Sequence, residues 1–409
     1  MSVIKPFRAL RPRPDLAEKV ACVPYDVPYD SEVREYIADN PHSFLRVTRP
    51  EAEFPLGSEP SEADVLAKSK ENLETFIREG WLRQDDEPSV YIYRLSIGPH
   101  VQTGIVATCS IDEYDAGLIK KHEKTRPDKV KDRTDHMVYL GAQTGLIFLA
   151  FRGTDETRRI IASETSREPL YVCPCDAGGV TQTVWNVADV DGLVAAFGEL
   201  PALYVADGHH RAESASLARK TLRESNPDHT GDEPYNFVIA GVFPAEDLKI
   251  LPYNRAVKDL NGLTKDEFLE RLAESFRIEP TEAKIPGGRR SFAMYLDGEW
   301  RMLNYIVENI HEPNPIESLD VSILQQNILA PILGIDDPRT NDRVSFVGGI
   351  RGTDELERLV DLGEYAVAFS MHPTSMEDLF AVSDMGEIMP PKSTWFEPKL
   401  KDGLFIHLI

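Results

Sequence analysis

Apolar and polar positions alternate on different periods along this chain, and the periods divide it. Near the start, Pro24-Tyr25-Asp26-Val27-Pro28-Tyr29-Asp30 excludes a helix, because its prolines lack donors and push their predecessors towards extended backbone. Ser31 through Asn40 then reads as a short helix stopped by Pro41, and Ser61 to Glu79 as a longer one. In the longer helix Ser61 and Asp64 form a capping box and Gly80 is the stop. From Val90 the texture is that of strands. Val90–Ile97 and Gly104–Ser110 face each other across a Gly-Pro turn, and Leu146–Phe151, Val180–Trp185, Ala202–Ala206, Asn236–Phe243 and Lys249–Pro252 follow.

Beyond residue 256 helices and strands mix. Thr264 and Glu267 cap a helix with Phe268, Leu272 and Phe276 on one face. A hairpin from Ser291 to Tyr305 turns at Asp297-Gly298, and Asp320 caps a helix from Val321 to Leu329. A helix near Asp354–Val360, a strand Tyr365–Phe369 and a helix near Ser375–Val382 complete the pattern. The fold class is α+β, a mixed-sheet core with additional N- and C-terminal α/β segments. The organisation expected is an N-terminal loop and helix segment, 1–88, a core, 89–255, and a C-terminal α+β domain, 256–409.

Composition narrows the function classes. A chain of 409 residues is too long for one ordinary core, and 42% hydrophobic with 28% charged residues is a globular balance. The formal net charge of −23 repels nucleic-acid backbones at long range, so no nucleic-acid partner is expected. No apolar run suits a signal peptide or a membrane span, which makes a cytoplasmic protein the expectation. Four cysteines cannot build a disulfide scaffold, and Cys22, Cys109, Cys173 and Cys175 read as thiols without function.

The chemistry concentrates at Asp207-Gly208-His209-His210-Arg211, where an apolar strand ends, Gly208 permits a tight turn and a helix starts with Ala212, Ala215, Ala218 and Leu222 on one face. A helix N-terminus there offers N–H groups and the positive dipole end to an anion. Arg211 can grip phosphate, His209 or His210 can donate to it or move a proton, and Asp207 can hold Mg²⁺ or orient a hydroxyl. Any one of these residues alone has a structural explanation; five consecutive polar residues after a buried strand favour a site. Lys120, Lys121, His122, Glu123, Lys124 and Thr125, with Lys129, Lys131 and Arg133, form a basic cluster that would neutralise phosphates, or else a solvated face. Lys392, Ser393 and Thr394 could contact an anion, although two prolines and an aromatic pair also describe an ordinary packed loop.

Six peptides carry a resemblance: Lys5-Pro6-Phe7-Arg8, Pro24–Val27, Asn40–Val47, His122–Thr125, Ala206–Arg211 and Pro391–Thr394. Together they resemble a large bacterial family of unknown function (family 1015). The Asp207–Arg211 turn also resembles that of the ParB and sulfiredoxin superfamily, closest to its free-serine kinases. That likeness implies a ParB/sulfiredoxin-like core, a turn that binds phosphate and a separate glutamate base, for which Glu123 is the candidate. It implies phosphoryl transfer at a small hydroxy-amino acid, serine or phosphoserine, in the kinase or phosphatase direction, with ADP or ATP and Mg²⁺ as cofactors. Phosphate contacts would come from Gly208, Arg211, His122, Lys124, Thr125, Arg133, Lys392, Ser393 and Thr394; Glu123, Asp207, His209 and His210 would be catalytic. Sulfiredoxin chemistry is disfavoured, because His209 stands where that turn has its cysteine. Two alternatives stay open: a ParB-like switch that binds CTP or ATP without amino-acid turnover, and a zinc hydrolase using His122, Glu123, His209 and His210. The Walker-type Gly-Lys-Ser/Thr loop is absent.

Overall fold

Two sheets organise the chain. The computed structural model describes residues 3–174, 178–306 and 314–409, which fall into two compact units. The first comprises Met1–Lys121, Thr125–Leu248 and Pro398–Ile409, and the second His122–Lys124 and Lys249–Glu397.

The first unit is built on a nine-stranded mixed sheet. Its strands are β1 (Ile4–Lys5), β2 (Tyr91–Ile97), β3 (His100–Ser110), β4 (Ile119–Lys120), β5 (Ile147–Phe151), β6 (Tyr171–Cys173), β7 (Val180–Asn186), β8 (Leu203–Asp207) and β9 (Phe237–Pro244). They lie in the order β4-β8-β5-β9-β3-β2-β7-β6, with β1 added on β3. Only β8 with β4 and β9 with β5 run parallel. The expected hairpin between β2 and β3 is present and turns at Gly98, whose φ of 53° needs glycine. Strands β5 and β9 are apolar throughout because both of their faces are covered, and they are buried along their length.

Three helices of this unit matter for the site: α1 (Glu62–Arg78), α2 (Pro127–Leu140) and α3 (His209–Glu224). Helix α1 starts on the expected Ser61–Asp64 capping box. Helix α3 lays Ala212, Ala215 and Ala218 into the core that holds Ile147, Leu149 and Val205. Small residues also let α2 and α3 approach closely, with Ser214 Oγ donating to the Val130 carbonyl at 2.9 Å. The end of the chain returns to this unit. Cys22 and Asp402 exchange backbone hydrogen bonds, Leu10 bridges Ile406, and His407–Leu408 pairs with Ala142–Gln143.

The second unit has a six-stranded antiparallel sheet. It contains β10 (Tyr253–Val257), β11 (Phe276–Pro280), β12 (Ser291–Leu296), β13 (Glu299–Tyr305), β14 (Val344–Gly348) and β15 (Val367–Met371), in the order β11-β13-β12-β15-β10-β14. The Asp297-Gly298 hairpin forms as expected, with both residues at positive φ. Helices α4 (Lys265–Leu272), α5 (Asp320–Leu324), α6 (Asp354–Asp361) and α7 (Met376–Asp384) belong to it. Phe369 lies fully buried on β15, between β12 and β10. Phe369→Ala should therefore cost about 3–5 kcal/mol in urea unfolding.

Four local expectations change. Phe276 is not on the α4 face: the helix stops at Leu272, and Phe276 opens β11, still buried. Asp320 does not cap α5, whose N-cap is Leu319, because its Oδ1 accepts from the Arg290 amide at 2.8 Å. The helix expected to reach Leu329 turns π-helical from Gln325 to Leu329. The strand expected at Tyr365–Phe369 is shifted to Val367–Met371. Cys22, Cys109 and Cys173 are buried free thiols, whereas Cys175 lies outside the described residues. Burial pushes all three thiols up, Cys173 to about 12, so none is poised as a nucleophile. No helix among the described residues is long and apolar enough to cross a membrane.

Candidate functional site

The Asp207–Arg211 turn begins with a fault in the sheet. Strand β8 follows β5 in register at Tyr204 and Val205, and then slips before Asp207 meets Phe148. Such a bulge re-aims the end of a strand. Gly208 follows at φ 90°, ψ 28°, and a Cβ there would sit 3.3 Å from the Cα of Ile147. Both the conformation and the close approach call for glycine. Helix α3 starts at once, its first internal bond running from the Ala212 amide to the Gly208 carbonyl.

Asp207 is engaged on both oxygens. Oδ1 accepts from the Gly208 amide at 2.7 Å, and Oδ2 pairs with Lys399 Nζ at 2.6 Å. Burial alone would raise its carboxyl, but Lys399, Arg211 and the Gly208 amide hold it well below the usual carboxylate range. It therefore stays ionised at any physiological pH. A Mg²⁺ ion on Asp207 would have to displace Lys399, so this carboxylate does not fit as the metal ligand that the resemblance implies.

Arg211 points inward rather than to solvent. It is 8% exposed, its Nη1 donates to the Leu146 carbonyl at 2.5 Å, and the same nitrogen lies 3.8 Å from Asp402 Oδ1. Asp402 is itself buried, with Oδ2 accepting from the Tyr25 amide at 3.2 Å, and Oδ1 has no hydrogen bond. Gly145 makes room for the pair, since a Cβ there would stand 2.7 Å from Asp402 Oδ1 and 3.1 Å from Arg211 Nη1. The ring of Tyr25 lies 5.9 Å from the Arg211 guanidinium and 4.4 Å from that of Arg133. These groups, with Thr144 and His136, line a cavity of about 10 Å³, room for roughly one water molecule. Burial pushes the Asp402 carboxyl up to about 7 against the opposing pull of Arg211.

The fold thus brings together Asp207, Gly208, His209, His210, Arg211 and Arg133 of the expected residues. His209 is buried. His210 Nε2 accepts from the Arg126 amide at 3.0 Å, at the N-cap of α2, which ties the start of α2 to the start of α3 and fixes that nitrogen as an acceptor. Thr125 belongs to the first unit and is half-buried. His122, Glu123 and Lys124 belong to the second unit, as do Lys392, Ser393 and Thr394. Within it His122 Nε2 lies 3.2 Å from Thr394 Oγ1, and the His122 carbonyl accepts from the Met389 amide at 2.8 Å. Ser393 is buried and donates its hydroxyl to the Pro390 carbonyl at 2.6 Å, and Lys392 sits at φ 57° with Nζ 5.6 Å from the Tyr253 ring. The sequence reading missed Tyr25, Gly145, Lys399 and Asp402 as neighbours of the turn. Pro24–Val27 was legible as a peptide of the family; Lys399 and Asp402 carried no local signal.

A mixed-sheet protein with helices on its faces and a charged turn at the end of a bulged strand is the class that this geometry defines. The chain belongs to the family described as protein of unknown function (DUF1015), whose model matches residues 4–322. No curated protein matches it. Among solved structures it is similar to a free serine kinase in complex with AMP, at 13% identity and TM-score 0.36, covering 73% of this chain and 91% of that one. A conserved hypothetical protein from Pyrococcus furiosus is similar at 16% identity and TM-score 0.34, covering 74% and 95%. SbnI with C-terminal truncation, from Staphylococcus aureus, is similar at 14% identity and TM-score 0.38, covering 74% and 87%.

Proposed function

We propose that the first unit carries a phosphoryl-transfer site for the hydroxyl of a small hydroxy-amino acid, with serine and phosphoserine as the first pair to try and an adenine nucleotide as the second substrate. The observation that supports it is the gathering of Arg133 and Arg211 on one tyrosine ring beside the start of α3, in a chain of net charge −23. Phosphoryl transfer needs little covalent chemistry from the protein beyond positioning and charge stabilisation. Arg211 is the pillar, since its donor and its charge are committed to Leu146 and Asp402. Arg133, whose Nε and Nη2 pair with the exposed Asp132 at 2.9 and 2.8 Å, offers its Nη1 to the phosphoryl oxygens together with the N-terminus of α3. Asp207 is too acidic to take a proton; it orients the substrate hydroxyl. Glu123, the base that the resemblance implies, belongs to the second unit, and this site is proposed without it.

The test uses Arg133, whose removal leaves the buried pair in place. Phosphoserine and ADP binding should be followed by calorimetry, and turnover assayed in both directions with serine plus ATP and phosphoserine plus ADP. Arg133→Ala should weaken phosphoserine on the order of 10- to 100-fold, the worth of a charge-assisted hydrogen bond. Unchanged phosphoserine affinity in Arg133→Ala would sink the proposal.

A further inference from the structure

We propose that the second unit holds a separate binding site for a small aliphatic α-amino acid, in a cavity of about 260 Å³ whose wall includes Arg255, Gln325 and Asp336. All of its lining residues lie in that unit, so the inference stands apart from the phosphoryl-transfer reading.

The first argument is an uncompensated buried cation. Arg255, on β10, is 3% exposed. Its guanidinium donates to the carbonyls of Tyr253, Lys392 (3.0 Å) and Pro391 (3.3 Å), and lies 4.9 Å from the Phe346 ring. Among the described residues no carboxylate forms an ion pair with it. Burial lowers it to about 10, which still leaves it charged at neutral pH. A charge in this position is costly unless an anion comes to it. One uncompensated positive charge matches a carboxylate better than a phosphate, which carries nearly two negative charges.

The second argument comes from Gln325 and Asp336 of the same wall. Gln325 opens the π-helical turn, in which the Ala330 amide reaches back to the Gln325 carbonyl. Isolated π turns are rare and are frequent at functional sites. The side-chain Nε2 of Gln325 is spent on the carbonyls of Ile335 (2.7 Å) and Asp336 (3.2 Å), while its buried Oε1 has no hydrogen-bond partner. An unmet buried acceptor calls for a donor. Asp336 is exposed and has no ion pair among the described residues, in contrast to Asp337, which Arg339 neutralises at 2.7 Å. An ammonium group satisfies both the Gln325 oxygen and the Asp336 charge.

The wall also carries Val321, Leu329 and Pro390, which suit an aliphatic side chain, beside the Asp337–Arg339 pair, whose charges cancel each other. The volume falls just under the roughly 300–1,000 Å³ of pockets for drug-sized ligands, so the occupant is smaller than a nucleotide. Carboxylate, ammonium and a short apolar side chain together define an aliphatic amino acid.

The test is calorimetry on the full chain with L-valine, L-leucine and L-methionine, alongside isovalerate, which lacks the ammonium, and isobutylamine, which lacks the carboxylate. At least one amino acid should bind with one-to-one stoichiometry, on the order of tenfold tighter than either truncated analogue. Asp336→Asn, at an exposed position that should not disturb folding, should remove that advantage and leave isovalerate binding unchanged. Arg133→Ala should bind the amino acid as wild type does, which separates this site from the turn of the first unit. The inference is overturned if none of the three amino acids binds up to about 10 mM, beyond the weak end of specific affinities. It is equally overturned if isovalerate binds as well as the amino acids, or if Asp336→Asn has no effect.

Discussion

Arg211→Met should destabilise the protein by about 3–5 kcal/mol in urea unfolding at pH 8, where Asp402 is ionised beside its arginine, the cost of breaking a buried pair from one side. The substitution takes the Nη1 donor from the Leu146 carbonyl and leaves Asp402 buried with no cation facing it. Asp402 already lacks a hydrogen bond on Oδ1, so the arginine is the main favourable influence on its charge. Removing both charges should cost much less. Arg211→Met combined with Asp402→Leu is expected to recover a large part of the loss, because replacing a whole buried ion pair by apolar groups is often neutral. A double variant no more stable than Arg211→Met would mean that the two residues do not act as a pair. The same reasoning explains why an alanine at Arg211 is a poor probe of ligand binding: it perturbs the fold and the site together, whereas Arg133 lies outside the pair.

The sequence foretold the turn and not what surrounds it. Gly208 was legible because a polar run after an apolar strand needs a sharp change of direction, and its φ of 90° bears that out. Capping boxes were equally readable, since they are bonds between residues three apart: Ser61 with Asp64 and Thr264 with Glu267 both form as expected, and the structure adds a third at Ser375 and Asp378. Asp320 has the composition of a cap and fails as one because its oxygen goes to Arg290, thirty residues away in sequence. The pairing of Asp402 with Arg211, and of Lys399 with Asp207, spans nearly half the chain. It is made by bridges of one or two residues, at Cys22, Leu10 and Ala142–Gln143, too short to leave a period in the sequence. The resemblance placed a phosphate-gripping role on Arg211, whereas the fold turns that side chain inward; Arg133, paired with the exposed Asp132, is the guanidinium outside the buried pair. A motif fixes which residues meet the backbone turn; it does not fix which way each side chain leaves it.

Stability should peak near pH 6.5, and three buried groups set the peak. Burial lowers His136 and His407 from 6.5 to about 4. His136 Nε2 lies 3.0 Å from Ser69 Oγ and 3.3 Å from the Val47 carbonyl, and His407 Nε2 lies 3.0 Å from the Pro234 carbonyl. The unfolded chain takes protons on these rings below about 6.5, while the native protein resists until about 4, so their contribution is lost as pH falls across that window. A shift of that size is worth about 3 kcal/mol for each ring. Asp402 works in the opposite sense: its native carboxyl keeps a proton up to about 7, although the unfolded one releases it near 3.8. Its contribution is fully present at low pH and disappears as pH rises through 7. Between pH 4 and 6.5 the two imidazoles outweigh the single carboxyl, so stability climbs by about 1.4 kcal/mol per pH unit; above 6.5 only the carboxyl remains, and stability declines. Urea unfolding from pH 4 to 8 reads this directly. His407→Gln should flatten the acid limb, and Asp402→Asn should abolish the decline above pH 6.5 while steepening the rise below it. Slopes that match wild type in both variants would show that these groups do not carry the pH dependence.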